Sequence, residues 1–169
     1  MNRFTVTHLP EDRYNEALPL VRMAAPWTTA QSWRDFVRTL FAGTGGILAG
    51  FASDGRPHGI AAYCPDSSLL HGKVLRVEPL VTFEVNRAAP VRAALCEALE
   101  QLARAKGCEA ILIAAASRGY AGIAGPKAIT WGALGFEIRS VELVKRLTTS
   151  PSAAEVAHQW ERQHAPGAI

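Results

Sequence analysis

The chain has 169 residues, of which 49% are hydrophobic and 20% are charged, so its length and composition indicate one folded domain with a buried core. Its net charge of +3 is scattered along the chain, which argues against a nucleic-acid-binding stripe. The N-terminal segment is too polar for a signal peptide and no apolar run reaches about 18 residues, so we expect a cytoplasmic protein without membrane attachment.

The N-terminal third predicts one strand followed by helices. Residues 3–8 alternate between polar and apolar types, which is typical of a strand. Pro19 interrupts the helical stretch that follows, so two short helical pieces or a kink are expected there. Thr28 and Gln31 form a candidate capping box for a second helix, and Gly43 marks its end.

A hairpin and a longer strand come next. The apolar runs 45–53 and 58–64 are joined by the turn residues 54–57, which predicts an antiparallel pair. Residues 73–85 predict a further strand. Pro79 within it removes a backbone donor, so we expect a bulge or an opening of the ladder at that point.

The middle of the chain predicts a strand–helix–strand unit. Residues 90–106 carry an apolar stripe at helical spacing, and Gly107 stops the helix. Residues 109–116 form the continuous apolar run that a central parallel strand shows. The helix is therefore expected to be the crossover between two parallel strands.

The C-terminal part predicts a loop, a helix, a last strand and an appendage. A glycine-rich loop leads into a helix over 126–134, and residues 136–147 predict a strand. Beyond residue 147 the composition changes to Thr, Ser and Pro before a short capped helix. We therefore expect one domain over 1–147 and a tail with a short helix over 148–169.

The segment 72–113, GKVLRVEPLVTFEVNRAAPVRAALCEALEQLARAKGCEAILI, and the later WGALGFEIRSVELVKRL resemble the core of the GNAT superfamily of N-acetyltransferases. The resemblance covers roughly residues 3–147. It implies an α/β fold with a mixed, mostly antiparallel central sheet of about six or seven strands flanked by helices. It also implies acetyl-CoA as cosubstrate and a primary amine as acceptor.

The resemblance places the diphosphate of coenzyme A at the start of the helix over 90–106. A helix N-terminus offers unpaired N–H groups and a partial positive charge, which suit phosphate. The family's R/Q-x-x-G-x-G/A loop aligns on Arg87, and both of its glycines are missing here. The candidate contacts are the Arg87 and Arg92 side chains and the amides of Val91, Arg92 and Ala93.

The resemblance places the pantetheine arm along the strand after Pro79. An open strand edge offers N–H and C=O groups to this amide-rich arm, which adds to the sheet as a peptide would. Amides near residue 81 would also polarise the thioester carbonyl. The candidate cofactor-binding residues of the strand are Leu80, Val81, Thr82 and Phe83.

The candidate proton-transfer groups follow from the same placement. Acyl transfer needs a neutral amine, so a strand carboxylate would accept a proton, and Glu78 is preferred to Glu84, which lies near the diphosphate. Trp131 stands where members of the family often carry a tyrosine acid, and it is either core packing or a wall of the substrate pocket. Tyr120 and Ser117 are alternative acids.

Metal and thiol chemistry are not indicated by the sequence. Cys64, Cys96 and Cys108 lack metal-ligand spacing, which predicts reduced, packed thiols. His58 and His71 stand next to turns without a second ligand at a recognisable spacing, so no metal is expected.

The preferred function is acetyl transfer from acetyl-CoA to a primary amine on a small molecule or a peptide. The alternative is a catalytically degenerate GNAT-like domain that binds CoA or another protein, because the loop glycines and the family's tyrosine are missing. A homodimer is compatible with the sequence, and neither nucleic acid nor membrane is expected as a partner.

Overall fold

The computed structural model describes residues 4–84, 90–114 and 126–138. The chain divides into two compact units, Met1–Phe136 and Glu137–Ile169, and every helix and strand given below belongs to the first. The predicted boundary at residue 147 and the predicted C-terminal helix lie outside the described residues and stay predictions. No described helix is long and apolar enough to cross a membrane.

The order of the elements follows the prediction from the first strand to the fourth helix. A 3-10 helix, Glu11–Ala17, precedes the first α-helix. The strands are β1 (Thr5–His8), β2 (Gly46–Phe51), β3 (Pro57–Ser68), β4 (Gly72–Thr82) and β5 (Ala110–Ile113), and the helices are α1 (Leu18–Ala24), α2 (Ala30–Ala42), α3 (Pro90–Ala105) and α4 (Pro126–Gly132).

The sheet is mixed and mostly antiparallel, as predicted. Its strands lie in the order β1-β2-β3-β4-β5. The first three pairs are antiparallel, and β4 pairs with β5 in parallel through the crossover helix α3. The described residues contain five strands rather than six or seven, because residues 136–138 form no strand and the rest of the last predicted strand lies outside them.

The start of α2 corrects the predicted capping box by one residue. Thr29, not Thr28, is the N-cap: its backbone is extended and its hydroxyl accepts from the Ser32 N–H at 3.0 Å. The Ser32 hydroxyl accepts in return from the Thr29 N–H at 3.0 Å. Gln31 instead donates to Asp35 one turn later. Serine at the third helical position therefore replaces the expected glutamine.

The sheet buries a separate apolar core on each face. One core lies under the 3-10 helix, α1 and α2, and its fully buried members include Ile47, Ile60, Trp33 and Val37. The other lies under α3 and includes Leu75, Leu95 and Leu99. A strand buried on both faces explains the continuous apolar runs of β2 and β3.

Gly59 on β3 lets the first turn of α3 approach the sheet closely. A Cβ at this position would lie 2.6 Å from Val91 Cγ1, 2.9 Å from Thr82 Cγ2 and 3.0 Å from Leu95 Cδ1. Real Cβ atoms essentially never approach a neighbour to under 3.0 Å. Because Gly59 has no side chain, the first turn of α3 can lie this close to the end of β4.

The irregularity at Pro79 is confirmed. Val77 lies opposite Tyr63 and Leu80 opposite Ala61, so β4 carries one more residue than β3 across this interval. The extra residue is a bulge, which bends a strand and changes which of its groups face each neighbour. The part of β4 beyond Pro79 is therefore oriented separately from the part that pairs with β5.

Candidate functional site

The strands β4 and β5 diverge at the bulge. Their parallel pairing ends at Val77 and Ile113, and the Ala114 N–H still donates to the Val77 carbonyl at 3.1 Å. β4 continues to Thr82 with β3 as its partner. Within the described residues, the edge of β4 after Pro79 therefore has no strand on the side of β5.

The backbone groups on this open edge can be assigned from the ladder. The Phe83 N–H donates to the His58 carbonyl on β3 at 2.7 Å, and the β3–β4 register is unbroken from Leu80 to Thr82. Residues of an antiparallel strand alternate between bonding the partner and facing away from it. Val81 and Phe83 therefore bond β3, whereas the N–H and C=O groups of Leu80 and Thr82 are directed to the open side.

This assignment narrows the predicted set of pantetheine contacts. Of the four strand residues, Leu80 and Thr82 have backbone groups on the open side. The Phe83 amide is already used in the ladder, and its half-exposed ring lies 6.4 Å from the His58 ring. The sequence does not show which of these residues face the open side, because the extra residue at Pro79 reverses the alternation along β4.

The start of α3 is occupied by a carboxylate from the same chain. The Arg92 N–H donates to Glu84 Oε1 at 2.8 Å, so the carboxylate just after β4 reaches the first turn of α3. α3 has no acidic residue in its first turn, and Pro90 has no N–H to donate. Glu84 thus supplies the negative charge that a helix N-terminus attracts. The eight-residue separation gives no capping signature in the sequence.

The Arg92 side chain points toward an aromatic ring rather than toward Glu84. Its guanidinium carbon lies 5.4 Å from the centre of the Trp131 ring on α4. Its Nε is shielded from solvent and has no hydrogen-bond partner among the described residues. Trp131 is half-buried and also meets Phe136 edge-on at 5.4 Å. Trp131 therefore serves as packing surface for both, and its role in a substrate pocket stays a prediction.

Glu78 lies on the exposed surface of β4, immediately before Pro79. Its neighbour Arg76 is paired with Asp66 on β3 at 3.0 Å. Among the described residues Glu78 makes no hydrogen bond or ion pair. A solvated carboxylate beside the divergence of β4 and β5 is free to accept a proton, which keeps its predicted role as base open to test.

The remaining predicted contacts are only partly described. Arg87, Ser117 and Tyr120 lie outside the described residues, so their roles stay predictions. Val91 packs its side chain in the core under α3 and is 1% exposed, and Ala93 is half-buried in the next turn. These side chains pack α3 against the rest of the protein. The phosphate contacts predicted for Val91 and Ala93 involve their backbone N–H groups.

The cysteines are free thiols in the described residues, and Cys96 is the most enclosed of them. Burial raises the pKa of Cys96 to about 11, so its thiolate is scarce at neutral pH. No group of three or more His, Cys, Asp or Glu side chains in the described ranges is arranged to hold a metal ion.

Comparison with known proteins gives matches in structure but not in sequence. No protein-family model and no curated protein match the chain. The chain superimposes on aminoglycoside N-acetyltransferase AAC(6')-Iy in complex with CoA with a TM-score of 0.70 at 16% identity, covering 88% of this chain and 97% of that one.

Two further solved structures give the same result. An acetyltransferase of Trypanosoma brucei matches with a TM-score of 0.65 at 18% identity, over 86% of this chain and 100% of that one. A GNAT family acetyltransferase of Staphylococcus aureus matches with a TM-score of 0.64 at 12% identity, over 87% and 100%. The resemblance seen in the sequence is thus confirmed at the level of architecture: the chain has the fold of the GNAT acetyltransferases.

Proposed function

We propose that this protein transfers an acetyl group from acetyl-CoA to a primary amine. The observation that carries the proposal is the open edge of β4, where Leu80 and Thr82 direct backbone groups away from β3 just beyond the end of the β4–β5 pairing. An amide-rich ligand can add to such an edge as a further strand. The CoA complex of the structural neighbour AAC(6')-Iy is a second, independent support.

The residues present fit coenzyme A in two places. The Leu80 and Thr82 groups suit the two amides of pantetheine. The start of α3 suits the diphosphate, because it has the positive end of a 16-residue helix and the Arg92 guanidinium close by. Glu84 now holds the Arg92 amide, so a diphosphate has to replace that carboxylate.

The protein would contribute to the reaction in two ways: it would position the thioester, and it would accept a proton from the amine. Acetyl-CoA supplies the activated acyl group when it is bound. The open amides of β4 would fix and polarise the thioester carbonyl, and Glu78 would take a proton from the amine directly or through water. Since an indole is a poor acid, Trp131 cannot protonate the leaving thiolate, and Tyr120 is the proposed donor.

The acceptor and the setting are part of the proposal. The amine belongs to a small molecule or a peptide that reaches Glu78 from solvent, because that carboxylate is exposed. We place the protein in the cytoplasm and treat a homodimer as an open alternative to a monomer. Neither nucleic acid nor membrane enters the proposed reaction.

A second function is favoured by one observation. Glu84 caps the helix that would hold the diphosphate, and a permanently capped helix would bind coenzyme A weakly or not at all. The chain would then be a catalytically degenerate GNAT-like domain that acts as a weak CoA-binding or protein-interaction module.

Thermal stability in the presence of ligand separates the two functions. A ligand at 100 times its dissociation constant stabilises the fold by about 2.7 kcal/mol. We expect acetyl-CoA and CoA to raise the melting temperature in a concentration-dependent way and acetyl-CoA to release free thiol when a panel of amines is added. No shift at millimolar ligand would contradict the proposed function and favour a protein-interaction module, and a shift without thiol release over a broad panel would favour a CoA-binding module.

A further inference from the structure

The position that a phosphate would take at α3 is held by a carboxylate of the protein. Glu84 Oε1 accepts from the Arg92 N–H at 2.8 Å, and this contact is partly buried. The described first turn of α3 contains no other acidic group. One N–H in good geometry serves one acceptor, and two anions at the same helix end repel each other. Glu84 and a bound phosphate therefore exclude each other at this amide.

While Glu84 caps α3, the Arg92 side chain packs on an aromatic ring and leaves its Nε without an acceptor among the described residues. Its guanidinium lies over Trp131, and its Nε is enclosed without a hydrogen-bond partner among the described residues. An enclosed donor without an acceptor is costly, and an anionic ligand would relieve that cost. The backbone N–H of Arg92 thus donates to Glu84, while its side-chain Nε has no acceptor among the described residues.

We propose that Glu84 is an internal competitor for the diphosphate of coenzyme A. The start of α3 would exist in two states, one capped by Glu84 and one holding the ligand's phosphates. This inference rests on the proposed binding of coenzyme A and adds a residue that sets its affinity. Glu84 contacts the ligand's position but takes no part in acyl transfer.

Ligand choice follows from this competition. A thioester of pantetheine has the arm that binds the β4 edge but has no diphosphate, so its binding does not require Glu84 to leave. Coenzyme A has to displace Glu84 before its phosphates reach the Arg92 N–H. Glu84 therefore reduces the preference of this protein for the full coenzyme over shorter pantetheine thioesters.

The test is a comparison of dissociation constants for CoA and for pantetheine, measured by titration calorimetry. Glu84→Gln keeps an acceptor oxygen for the helix but removes the charge, so the fold is retained, which a thermal melt checks. We expect this variant to bind CoA about five- to tenfold more tightly, in line with the strength of a charged helix cap. Pantetheine affinity should stay within about twofold. Glu97→Gln, an exposed carboxylate of α3, is the matched control and should leave both constants unchanged.

The possible results separate this inference from the proposed function. Unchanged or weaker CoA binding by a folded Glu84→Gln variant would overturn the competition and make Glu84 a helix cap only, while the proposed function stands if wild type binds CoA. Equal tightening of pantetheine would also overturn it. CoA binding by the variant alone would support the competition and remove the proposed function from the wild-type protein. Binding by neither protein would overturn both.

Discussion

At the scale of single residues, the open question is which group accepts the amine's proton. Glu78 and Glu84 are both carboxylates of the β4 region, but the structure gives them different surroundings. Glu84 lies at the start of α3, where its carboxylate accepts from the Arg92 N–H, and this is the position proposed for the diphosphate rather than for the acyl group. Glu78 is exposed and has no polar partner among the described residues, since Arg76 is paired with Asp66. The positions of the two carboxylates therefore favour Glu78 over Glu84 as the proposed base.

Replacement of Glu78 by Gln is expected to lower kcat without changing the affinity for coenzyme A. A positioned general base contributes about 10²- to 10⁴-fold to a rate, so the loss should fall in that range. Thiol release gives kcat, and calorimetry gives the dissociation constant for CoA. Glu97→Gln is a suitable control because it removes an exposed carboxylate from α3. An unaltered kcat would exclude Glu78 as the base.

At the scale of elements, the site depends on how closely α3 lies on the sheet. Gly59 faces Val91 in the first turn of α3 and Thr82 at the end of β4, so it sets the distance between the two elements that would hold coenzyme A. The sequence shows Gly59 only as one of several glycines in a hairpin. Its importance comes from a contact with residues more than 20 positions away, which no local pattern encodes.

Replacement of Gly59 by Ala is expected to displace the start of α3 and weaken CoA binding. The new Cβ would overlap Val91 and Thr82, and overpacking of this kind costs about 1–3 kcal/mol of folding free energy. Urea unfolding measures that cost, and calorimetry measures the affinity. Gly132→Ala is the matched control, because a Cβ there meets nothing within 4 Å. Equal stability of the Gly59→Ala variant and wild type would show that α3 has room to move.

The elements themselves were predictable because each depends on local chemistry. Two short helical pieces occur around Pro19, which lies in the first turn of α1, the turn at Gly55 joins β2 to β3, and Gly107 follows α3, all as the sequence indicates. The cap of α2 lies one residue later than the sequence pattern predicts, because Ser32 takes the place of the expected glutamine. Local rules thus find elements well and their ends less well.

At the scale of the whole molecule, the arrangement of the site was less predictable than the fold. The crossover between β4 and β5 follows from a helix between two apolar strands, and the structure confirms it. The Glu84–Arg92 contact joins residues eight positions apart, and the direction of the Leu80 and Thr82 backbone groups depends on the bulge at Pro79. Such contacts are properties of the assembled sheet and not of any segment.

The stability of the whole molecule is expected to be sensitive to alkaline pH through the buried thiol of Cys96. Cys96 is a buried residue of α3, and burial raises the pKa of its thiol to about 11 from an ordinary value of 9.0. Between these values the unfolded chain loses the proton and the folded chain keeps it, so stability present below pH 9.0 is lost as the pH rises through the folded pKa. After allowance for solvent screening, the loss should be about 1–2 kcal/mol.

The variant Cys96→Ala isolates this contribution from that of other groups, including Tyr63, whose pKa burial also raises. At pH 8 the variant should be less stable than wild type, because a buried side chain is truncated. As the pH approaches 11, the wild-type thiol begins to oppose folding and the variant has none to ionise, so the difference between the two proteins should shrink by about 1–2 kcal/mol. Urea unfolding midpoints at pH 8, 9, 10 and 11 provide the measurement. A difference that stays constant over this series would mean that the Cys96 thiol ionises at the same pH in the folded and unfolded chain, which would contradict the burial of this side chain on α3.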